Sequence, residues 1–295
     1  PEGSRWTLNL APMVPPLMTN LGENATCDTP GDFNGDVLTG TLTPPSGAVG
    51  TFATQFRLFG RIEVQRACWY ATGSTTVTTG AVWPRQVATQ ALVSKQISGP
   101  GLAPMSWSYA WTSSTGWTGC VTAGTCRDER VLTVTEPSGT KTRHTFGIRW
   151  RVTEGQLLKT EEGIVTTTPL KVTTFRHRLP AGQAWPEQFG TSLLPKNDWL
   201  STRHRPQDQR IVTLQGKTFT WEADATSAGF DALARPLKVK RTGSHTRTDL
   251  TAYHDNDTRW VLGQLASLTE TTTGLRVEEH SYDAGTALRL RFSAF

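Results

Sequence analysis

Apolar and polar residues alternate along much of the chain, and this alternation predicts β-strands. In the stretch HTFGIRWRV the apolar side chains share one face: Phe146, Ile148, Trp150 and Val152. The stretches TFATQFRLF (51–59) and LRLRF (288–292) alternate in the same way. A period of two residues is typical of strands with one buried and one solvent-exposed face. No stretch of comparable length keeps a helical period, so we expect an all-β fold.

Recurring turn signals separate these strands. The stretches LTPPSGAVGTF and VTEPSGTKTRHTF share the pattern T-x-P-S-G, with Pro45 and Pro137 at matching positions. Proline sets the backbone angle φ of a turn, and the glycine that follows tolerates a positive φ. In IVTLQGKTFTW, Gln215 and Gly216 predict a short primed hairpin turn. Repeated strand–turn–strand units predict an antiparallel sheet that grows by the addition of hairpins.

Composition and charge narrow the class of protein further. The 27 glycines and 11 tryptophans among 295 residues suit tight turns and pleated strands better than helices. The net charge of +5 is spread without a Lys/Arg block, so we expect no nucleic-acid partner. No apolar run approaches the length of a membrane span, and none is expected. The stretches PEGSRWTLNL and LRLRFSAF both continue a strand pattern, so we expect a segment of a longer polypeptide.

Four cysteines bear on redox compartment and on metal binding: Cys27, Cys68, Cys120 and Cys126. They form no CxxC pair and have no histidine at zinc-finger spacing, which argues against a zinc site. One disulfide closing the loop VTAGT between Cys120 and Cys126, and a second between Cys27 and Cys68, form one arrangement. Free buried thiols are the alternative. An even number of cysteines in such a β-rich chain favours an exported, oxidised protein.

A second repeat lies in the C-terminal half. The stretches FDALARPLKV (230–239) and YDAGTALRLRF (282–292) each run from an aromatic residue and aspartate, through small residues, to an alternating strand. These stretches resemble the bacterial RHS or YD-repeat proteins, whose motif is roughly Tyr-Asp, two residues, Gly-Arg and a strand, with an upstream glycine and arginine. The residues that match this motif are Phe230, Asp231, Arg235, Gly274, Arg276, Tyr282, Asp283 and Gly285.

The resemblance has departures and a limited extent. Phe230 stands where tyrosine is usual, Ala234 stands where glycine is usual, and the second copy lacks the Gly-Arg pair. The segments at 145–162 and 249–271 are also similar to recurring segments of the family. Since the likeness is strongest from about residue 130, we expect two continuous regions. Residues 1–129 would form an N-terminal β-hairpin region with the disulfides, and residues 130–295 would form the RHS/YD-repeat sheet.

The resemblance implies a fold and a role. Members of the family build antiparallel β-hairpin repeats into a spiralling sheet that encloses a hollow shell, often around a toxin region. The self-cleaving aspartyl core of the complete family protein is not matched here, so the resemblance implies no catalytic residue. We therefore expect a non-enzymatic shell segment, secreted or on the surface of a Gram-negative bacterium. Its partners would be flanking repeats of the same polypeptide and an enclosed toxin domain.

The sequence offers one weak metal candidate and implies no organic cofactor. The stretch GDFNGD places oxygen ligands at alternate positions, as calcium loops do: Asp32, Asn34 and Asp36. Val37 stands where such a loop has glycine, and Thr43 stands where it has its final glutamate. A polar turn is therefore the preferred interpretation, and bound calcium is the minor alternative.

An aromatic row supplies the alternative function. In SWSYAWTSSTGW, Trp107, Tyr109 and Trp111 would lie on one face of a strand. Such a row can stack on sugars, but aromatic pairs between neighbouring strands are the more common use. The alternative to a shell segment is therefore a secreted or cell-surface β module that binds carbohydrate or cells.

Two acidic stretches, YHDNDTRW and RVEEHSYDAG, resemble acid/base or metal sites. The first, with His254, Asp255 and Asp257, has the composition of a turn between strands. If the second stretch is a strand, its two adjacent glutamates point to opposite faces. It would place four residues on one face, Arg276, Glu278, His280 and Tyr282, with Val277 and Glu279 on the other. We therefore interpret both stretches as structural and expect no enzyme.

Overall fold

The structure is a computed structural model that describes residues 5–10, 34–63, 86–112, 127–187 and 204–295. Within these ranges the chain forms sixteen β-strands, and its one helical segment is the three-residue 3₁₀ turn Ser227–Gly229. The all-β prediction is confirmed. No helix of the described ranges is long and apolar enough to cross a membrane.

The sixteen strands belong to one antiparallel sheet, in which their order is the order of the chain. The strands are β1 (Thr7–Asn9), β2 (Asn34–Thr43), β3 (Val49–Gly60), β4 (Gln86–Gly99), β5 (Leu102–Trp111), β6 (Glu129–Thr135), β7 (Lys141–Gly147), β8 (Leu157–Ile164), β9 (Lys171–His177), β10 (Gln207–Leu214), β11 (Lys217–Ala223), β12 (Lys238–Thr242), β13 (Thr246–Asn256), β14 (Val261–Glu270), β15 (Arg276–Tyr282) and β16 (Arg289–Ala294).

The chain divides into two compact units, residues 1–170 and residues 171–295. Because antiparallel neighbours can be joined by tight hairpins, a sheet in chain order is the expected product of successive hairpins. The expected division near residue 130 was based on likeness to a family rather than on compactness, and it stays a prediction.

The two T-x-P-S-G stretches form matching turns in the first unit. In the hairpin between β2 and β3, Gly47 N donates to Pro44 O at 3.0 Å, and Gly47 has φ of +76°. In the hairpin between β6 and β7, Gly139 N donates to Glu136 O at 2.8 Å, and Gly139 has φ of +84°. Only glycine adopts such angles without steric cost, so the last position of the pattern determines the turn.

The predicted primed turn between β10 and β11 is also present. Gln215 and Gly216 both have positive φ, +49° and +76°, and the flanking residues Leu214 and Lys217 are paired across the hairpin. Two successive positive φ values are the property of a type I′ turn, whose twist matches that of the strands.

The strand predicted for HTFGIRWRV is interrupted. The strand β7 ends at Gly147, and Val152 belongs to the turn that follows. Ile148 and Trp150 are buried as expected, but they bracket a bridge to a separate segment. There Ile62 N donates to Ile148 O, and Trp150 N donates to Ile62 O, both at 3.0 Å.

A close backbone approach at Gly147 explains why the strand stops. Gly147 N donates to Gln156 O at 2.9 Å and Gly147 O accepts from Gly155 N at 3.0 Å, so the following loop folds back onto it. A Cβ atom at this position would lie 2.4 Å from the Cβ atom of Thr153. Period-two patterning cannot report such a contact.

The burial expected for the apolar residues of LRLRF is wrong. Leu288 and Leu290 remain 68% and 67% exposed, although the pattern predicted that they would lie on a buried face. Alternation fixes which side chains share a face, whereas burial requires another element over that face. Among the described residues, β16 pairs only with β15.

We expect Gly147→Ala to lower the free energy of unfolding by about 1–3 kcal/mol, because the added methyl group must displace Thr153. Urea denaturation followed by tryptophan fluorescence measures this change. The matched control is Gly285→Ala, where the nearest atom to an added Cβ, Asp283 Oδ1, is 3.5 Å away. The control should change stability by less than about 0.5 kcal/mol. Equal effects of the two substitutions would contradict the close approach.

Candidate functional site

The first aromatic-Asp stretch forms a turn between β11 and β12, here called the first turn (residues 230–236). Asp231 N donates to Arg235 O at 3.0 Å, and Ala234 N donates to Asp231 O at 3.1 Å. The Asp231 carboxylate then closes the turn, since Oδ1 accepts from the N–H groups of Leu233 and Arg235, both at 2.9 Å. Its Oδ2 accepts from Arg235 Nε at 2.6 Å. Asp231 is therefore a turn-forming side chain.

The second aromatic-Asp stretch forms the last turn (residues 282–288), between β15 and β16. Asp283 N donates to Leu288 O at 2.9 Å. Asp283 Oδ1 accepts from Gly285 N at 3.1 Å and from the N–H and hydroxyl groups of Thr286 at 2.8 Å. These hydrogen bonds, above all those from Thr286, lower the pKa of Asp283. The backbone hydrogen bond donated by the aspartate N–H spans one residue more in the last turn than in the first, and in both turns the carboxylate accepts from backbone N–H groups of the turn.

Both turns place an alanine at positive φ. Ala234 has φ of +61° and Ala287 has φ of +58°. The methyl group of Ala287 is buried, and that of Ala234 packs against the cluster around Phe230. Burial of these methyl groups offsets part of the steric cost of the left-handed backbone.

A third turn of similar build, which the sequence analysis missed, lies between the other two. This middle turn (residues 253–260) joins β13 to β14 and also ends on a residue with positive φ, Trp260 at +54°. Its aspartate, Asp255, accepts from Gly263 N at 2.8 Å. His254 separates this aspartate from Tyr253, so a search for adjacent aromatic and aspartate residues does not find it. The structure places a turn between strands at this stretch, with His254 and Asp255 near the end of β13 and Asp257 in the turn itself.

The two tyrosines have the same hydrogen bond. Tyr253 OH donates to Pro236 O at 3.0 Å, and Tyr282 OH donates to Leu265 O at 2.8 Å. In each case the acceptor lies 17 residues earlier in the chain. The middle and last turns therefore occupy equivalent places in successive hairpins.

The guanidinium of Arg235 joins the first turn to the middle turn. Its Nη1 and Nη2 atoms donate to the two carboxylate oxygens of Asp255 at 2.6 and 2.7 Å, while its Nε donates to Asp231. The same guanidinium lies 4.5 Å from the ring centroid of Tyr253. The hydrogen bonds from Arg235 lower the pKa of Asp255 to about 2, and those from the carboxylates raise the pKa of Arg235.

The middle hairpin in turn holds the last turn. Its side chains donate to three backbone carbonyl groups: Asn256 to Ala284 at 2.7 Å, Arg259 to Gly285 at 2.8 Å and Gln264 to Ala287 at 2.9 Å. The His254 ring also stacks on the Tyr282 ring, with centroids 5.0 Å apart and planes 13° apart. The backbone of the last turn is thus satisfied by its neighbour.

The connection after β9 covers the first turn in the same manner. Arg178 donates to Asp224 O at 2.5 Å, and its guanidinium lies 5.2 Å from the Phe230 ring centroid. Trp185 meets Phe230 edge-on at 5.1 Å, and Phe230 is only 1% exposed. In all three turns the aromatic residue is therefore covered by a side chain from the preceding connection or from the strand beside it: Arg178 over Phe230, Arg235 over Tyr253 and His254, near the end of β13, over Tyr282. We call this arrangement the turn ladder.

The stretch RVEEHSYDAG forms β15, with one correction to its faces. A bulge leaves Val277 as an extra residue, since Leu268 pairs with Glu278 and the next residue pairs with Arg276. Arg276 therefore pairs with Glu279, not with Glu278. Glu278 contacts His280 Nε2 at 3.3 Å, as the shared face predicted. Gly274 lies in the connection between β14 and β15, which is not part of the ladder.

The aromatic row on β5 is half-buried, and its members have different neighbours. Trp111 packs edge-on against Phe59, with centroids 5.2 Å apart. Lys95 Nζ lies 3.9 Å from the ring centroid of Trp107. These contacts favour packing between strands for both tryptophans. Glycan stacking on this row, including Tyr109, stays a prediction.

The calcium and disulfide predictions fall mostly outside the described residues. Asn34 begins β2 and Asp36 lies within that strand rather than in a loop. The remaining residues of these predictions are not described: Asp32, Cys27, Cys68, Cys120 and Cys126. Across the described ranges, no group of three or more His, Cys, Asp or Glu side chains could hold a metal ion.

Comparison of the chain with models of known protein families finds no match, and none of the curated proteins matches the sequence.

We expect the pair Arg235 and Asp255 to contribute a coupling energy of about 1 kcal/mol in a double-mutant cycle of Arg235→Gln and Asp255→Asn. Bidentate geometry is the reason, since it fixes two charge-assisted hydrogen bonds at once. The free energies of unfolding from urea titration give the coupling. The exposed pair Arg276 and Glu279, with 51% and 48% of its side chains accessible, serves as the control and should give a coupling near zero. A coupling no larger than that of the control pair would contradict this role.

The same ion pair predicts a pH dependence. Because Arg235 depresses the pKa of Asp255 in the folded protein from 3.8 to about 2, the stabilisation is complete above about pH 5. It is lost as the pH falls through 2. We expect the stability difference between the wild type and Asp255→Asn to shrink steadily between pH 5 and pH 2 in urea titrations. A difference independent of pH over this range would count against the ion pair.

Proposed function

We propose that this chain is a non-enzymatic structural segment of an RHS/YD-repeat protein, and that it helps to build a β-shell that encloses or exports a toxin. The observation that carries the proposal is the turn ladder of residues 171–295. In it, successive turns with an aromatic residue and an aspartate recur at every second strand connection, and each aromatic residue is covered by a side chain that comes earlier in the chain.

The turn ladder supports a sheet that can be extended by the addition of further hairpins. In an antiparallel sheet every second connection lies at the same end. Turns that recur at this interval can therefore contact one another directly. The turn of each added hairpin packs against the turn of the preceding hairpin. Such nearest-neighbour construction is typical of repeat proteins, in which every unit packs on the last.

The exposed faces of the outer strands support flanking repeats as partners. Leu290 and Phe292 of β16 are exposed, as are Trp6 and Leu8 beside and within β1. Strand edges with apolar side chains are templates for pairing with further strands. In the proposed shell these edges continue into neighbouring repeats of the same polypeptide.

The use of the acidic groups supports a structural role. Asp231 and Asp283 accept hydrogen bonds from backbone N–H groups of their turns, and Asp255 accepts one from Gly263 N in β14. A carboxylate engaged in this way has its lone pairs directed at the backbone. Hydrolase activity that is present in the purified chain and lost on Asp255→Ala would overturn the non-enzymatic role.

The experiment that tests the proposal uses the polypeptide encoded by the reading frame on both sides of residues 1–295. Its structure, by electron cryomicroscopy, should show further aromatic-Asp turns continuing the sheet around an enclosed region. Limited proteolysis should leave that region intact until the shell is denatured. Flanking sequence without such turns, or a region digested at the same rate as exposed loops, would contradict the shell.

The exposed edges also predict association of the 295-residue chain alone. We expect size-exclusion chromatography with light scattering to show species larger than a monomer, because unpaired edge strands join. Leu290→Lys should shift the distribution towards monomer by placing a charge on the β16 edge. The matched control is Val165→Lys, a residue 74% exposed but in the loop after β8, which should leave association unchanged. A wild-type chain that is entirely monomeric would refute the prediction.

A further inference from the structure

The first unit contains a cavity of about 460 Å³ whose walls include three aromatic rings. Phe59, Trp111 and Phe146 line it, and Arg130 and Glu154 supply its charged groups. We call it the Trp111 cavity. Its size lies within the range of roughly 300–1,000 Å³ that small-molecule sites occupy. All of its residues belong to the unit of residues 1–170, so the inference below does not depend on the turn ladder or on the shell.

The aromatic walls form a continuous apolar surface. The Phe59 and Trp111 rings meet edge-on at 5.2 Å, and the Trp111 and Phe146 rings are 6.0 Å apart with planes inclined by 34°. Ala91 and Ile148, both buried, complete this side. A flat apolar group placed here would contact ring faces and edges, which favours aromatic or cyclic bodies.

Arg130 provides a half-buried cation without a matching anion. Its guanidinium lies 4.4 Å from the Phe59 ring centroid, and its Nη2 donates to Gly60 O. Burial lowers the pKa of Arg130 to about 10, against the raising effect of Glu154, so the group stays charged at neutral pH. Within the part of the chain that the structure describes, no carboxylate forms a hydrogen-bonded pair with it.

The nearest carboxylate is already engaged. Glu154 Oε1 lies 3.3 Å from Arg61 Nε, whose side chain is largely buried. Two arginines and one glutamate leave a single net positive charge at the cavity. The neighbouring pair of Arg149 and Glu63, joined at 3.0 and 3.1 Å, is neutral by itself.

We infer that the Trp111 cavity binds a monocarboxylate carried on a flat apolar body, with the carboxylate on Arg130 and the body between Phe59, Trp111 and Phe146. An arginine fork matches two carboxylate oxygens, and a buried cation gains most from an anion that replaces lost water. A cationic ligand would be repelled by Arg130, and the second charge of a dianion would exceed the single net positive charge of the cavity and lie near Glu154. The same chemistry occurs in a free aryl-alkanoic acid and in a peptide that ends in phenylalanine.

Binding of 3-phenylpropionate to the full chain, by isothermal titration calorimetry and tryptophan fluorescence, tests the inference. The neutral isostere 3-phenylpropanamide is the ligand control. We expect the acid to bind at least tenfold more tightly than the amide. Equal affinity for the two compounds, or no binding of either at millimolar concentration, would overturn the inference.

Two further peptide ligands distinguish the sources of the carboxylate. Gly-Gly-Phe with a free carboxyl terminus should compete with 3-phenylpropionate if the cavity takes a peptide end, whereas the amidated peptide should not. Competition by the free acid alone, with neither peptide competing, assigns the cavity to small acids. Equal competition by both peptides would contradict recognition of the carboxylate.

Protein variants test whether the charge of Arg130 causes the preference for the acid over the amide. Arg130→Gln should abolish the preference for acid over amide, and Arg130→Lys should retain a weaker preference because it keeps a point charge without the fork. The matched control is Arg143→Gln, which removes an arginine that pairs with Glu161 at 3.2 Å outside the cavity. It should bind as the wild type does. A preference for the acid that persists in folded Arg130→Gln would overturn the assignment of Arg130.

Discussion

The fork of Arg235 between two aspartates is the interaction on which the described part of the second unit depends most. It closes the first turn through Asp231, engages Asp255 of the middle turn with both terminal nitrogens and covers Tyr253. From the middle turn so placed, Asn256 and its neighbours reach the carbonyl groups of the last turn. Side chains thereby link the first turn to the middle turn and the middle turn to the last turn.

Such links matter because the described residues have little central core. Only ten of their apolar side chains are buried, and they are dispersed along the sheet. Backbone pairing between strands does not satisfy the turns. Their aromatic residues and unpaired carbonyl groups need contacts with other parts of the chain. In the second unit the neighbouring hairpins supply these contacts. Contact between successive hairpins is therefore the main interaction that holds the turns in place.

The sequence could predict features whose causes are local. The turn at Gln215 and Gly216 requires only the conformational freedom of those two residues and strands on either side. The predicted course of β7 beyond Gly147 failed because a loop returns to that glycine, a contact between segments. The exposure of Leu290 was missed because burial depends on what lies over a strand.

The candidate site also contains features with local causes, which the sequence predicts, and features that depend on distant contacts, which it does not. Asp231 and its counterpart in the last turn were found because their hydrogen bonds close a short loop that leaves a recognisable spacing. The middle turn was missed because the inserted His254 shifts the aspartate by one position while leaving its contacts intact. Its signal was the tyrosine hydrogen bond to a carbonyl 17 residues back, which only coordinates reveal. The Trp111 cavity likewise collects residues from distant strands.

Hydrogen exchange measured by mass spectrometry tests most directly whether the turns form one ladder. In Asp255→Asn, the altered residue does not contact the last turn, yet amide exchange in peptides covering residues 282–288 should accelerate. Peptides covering the hairpin at Gly139 should be unchanged. Faster exchange confined to residues 231–263 would show independent turns and would contradict the ladder.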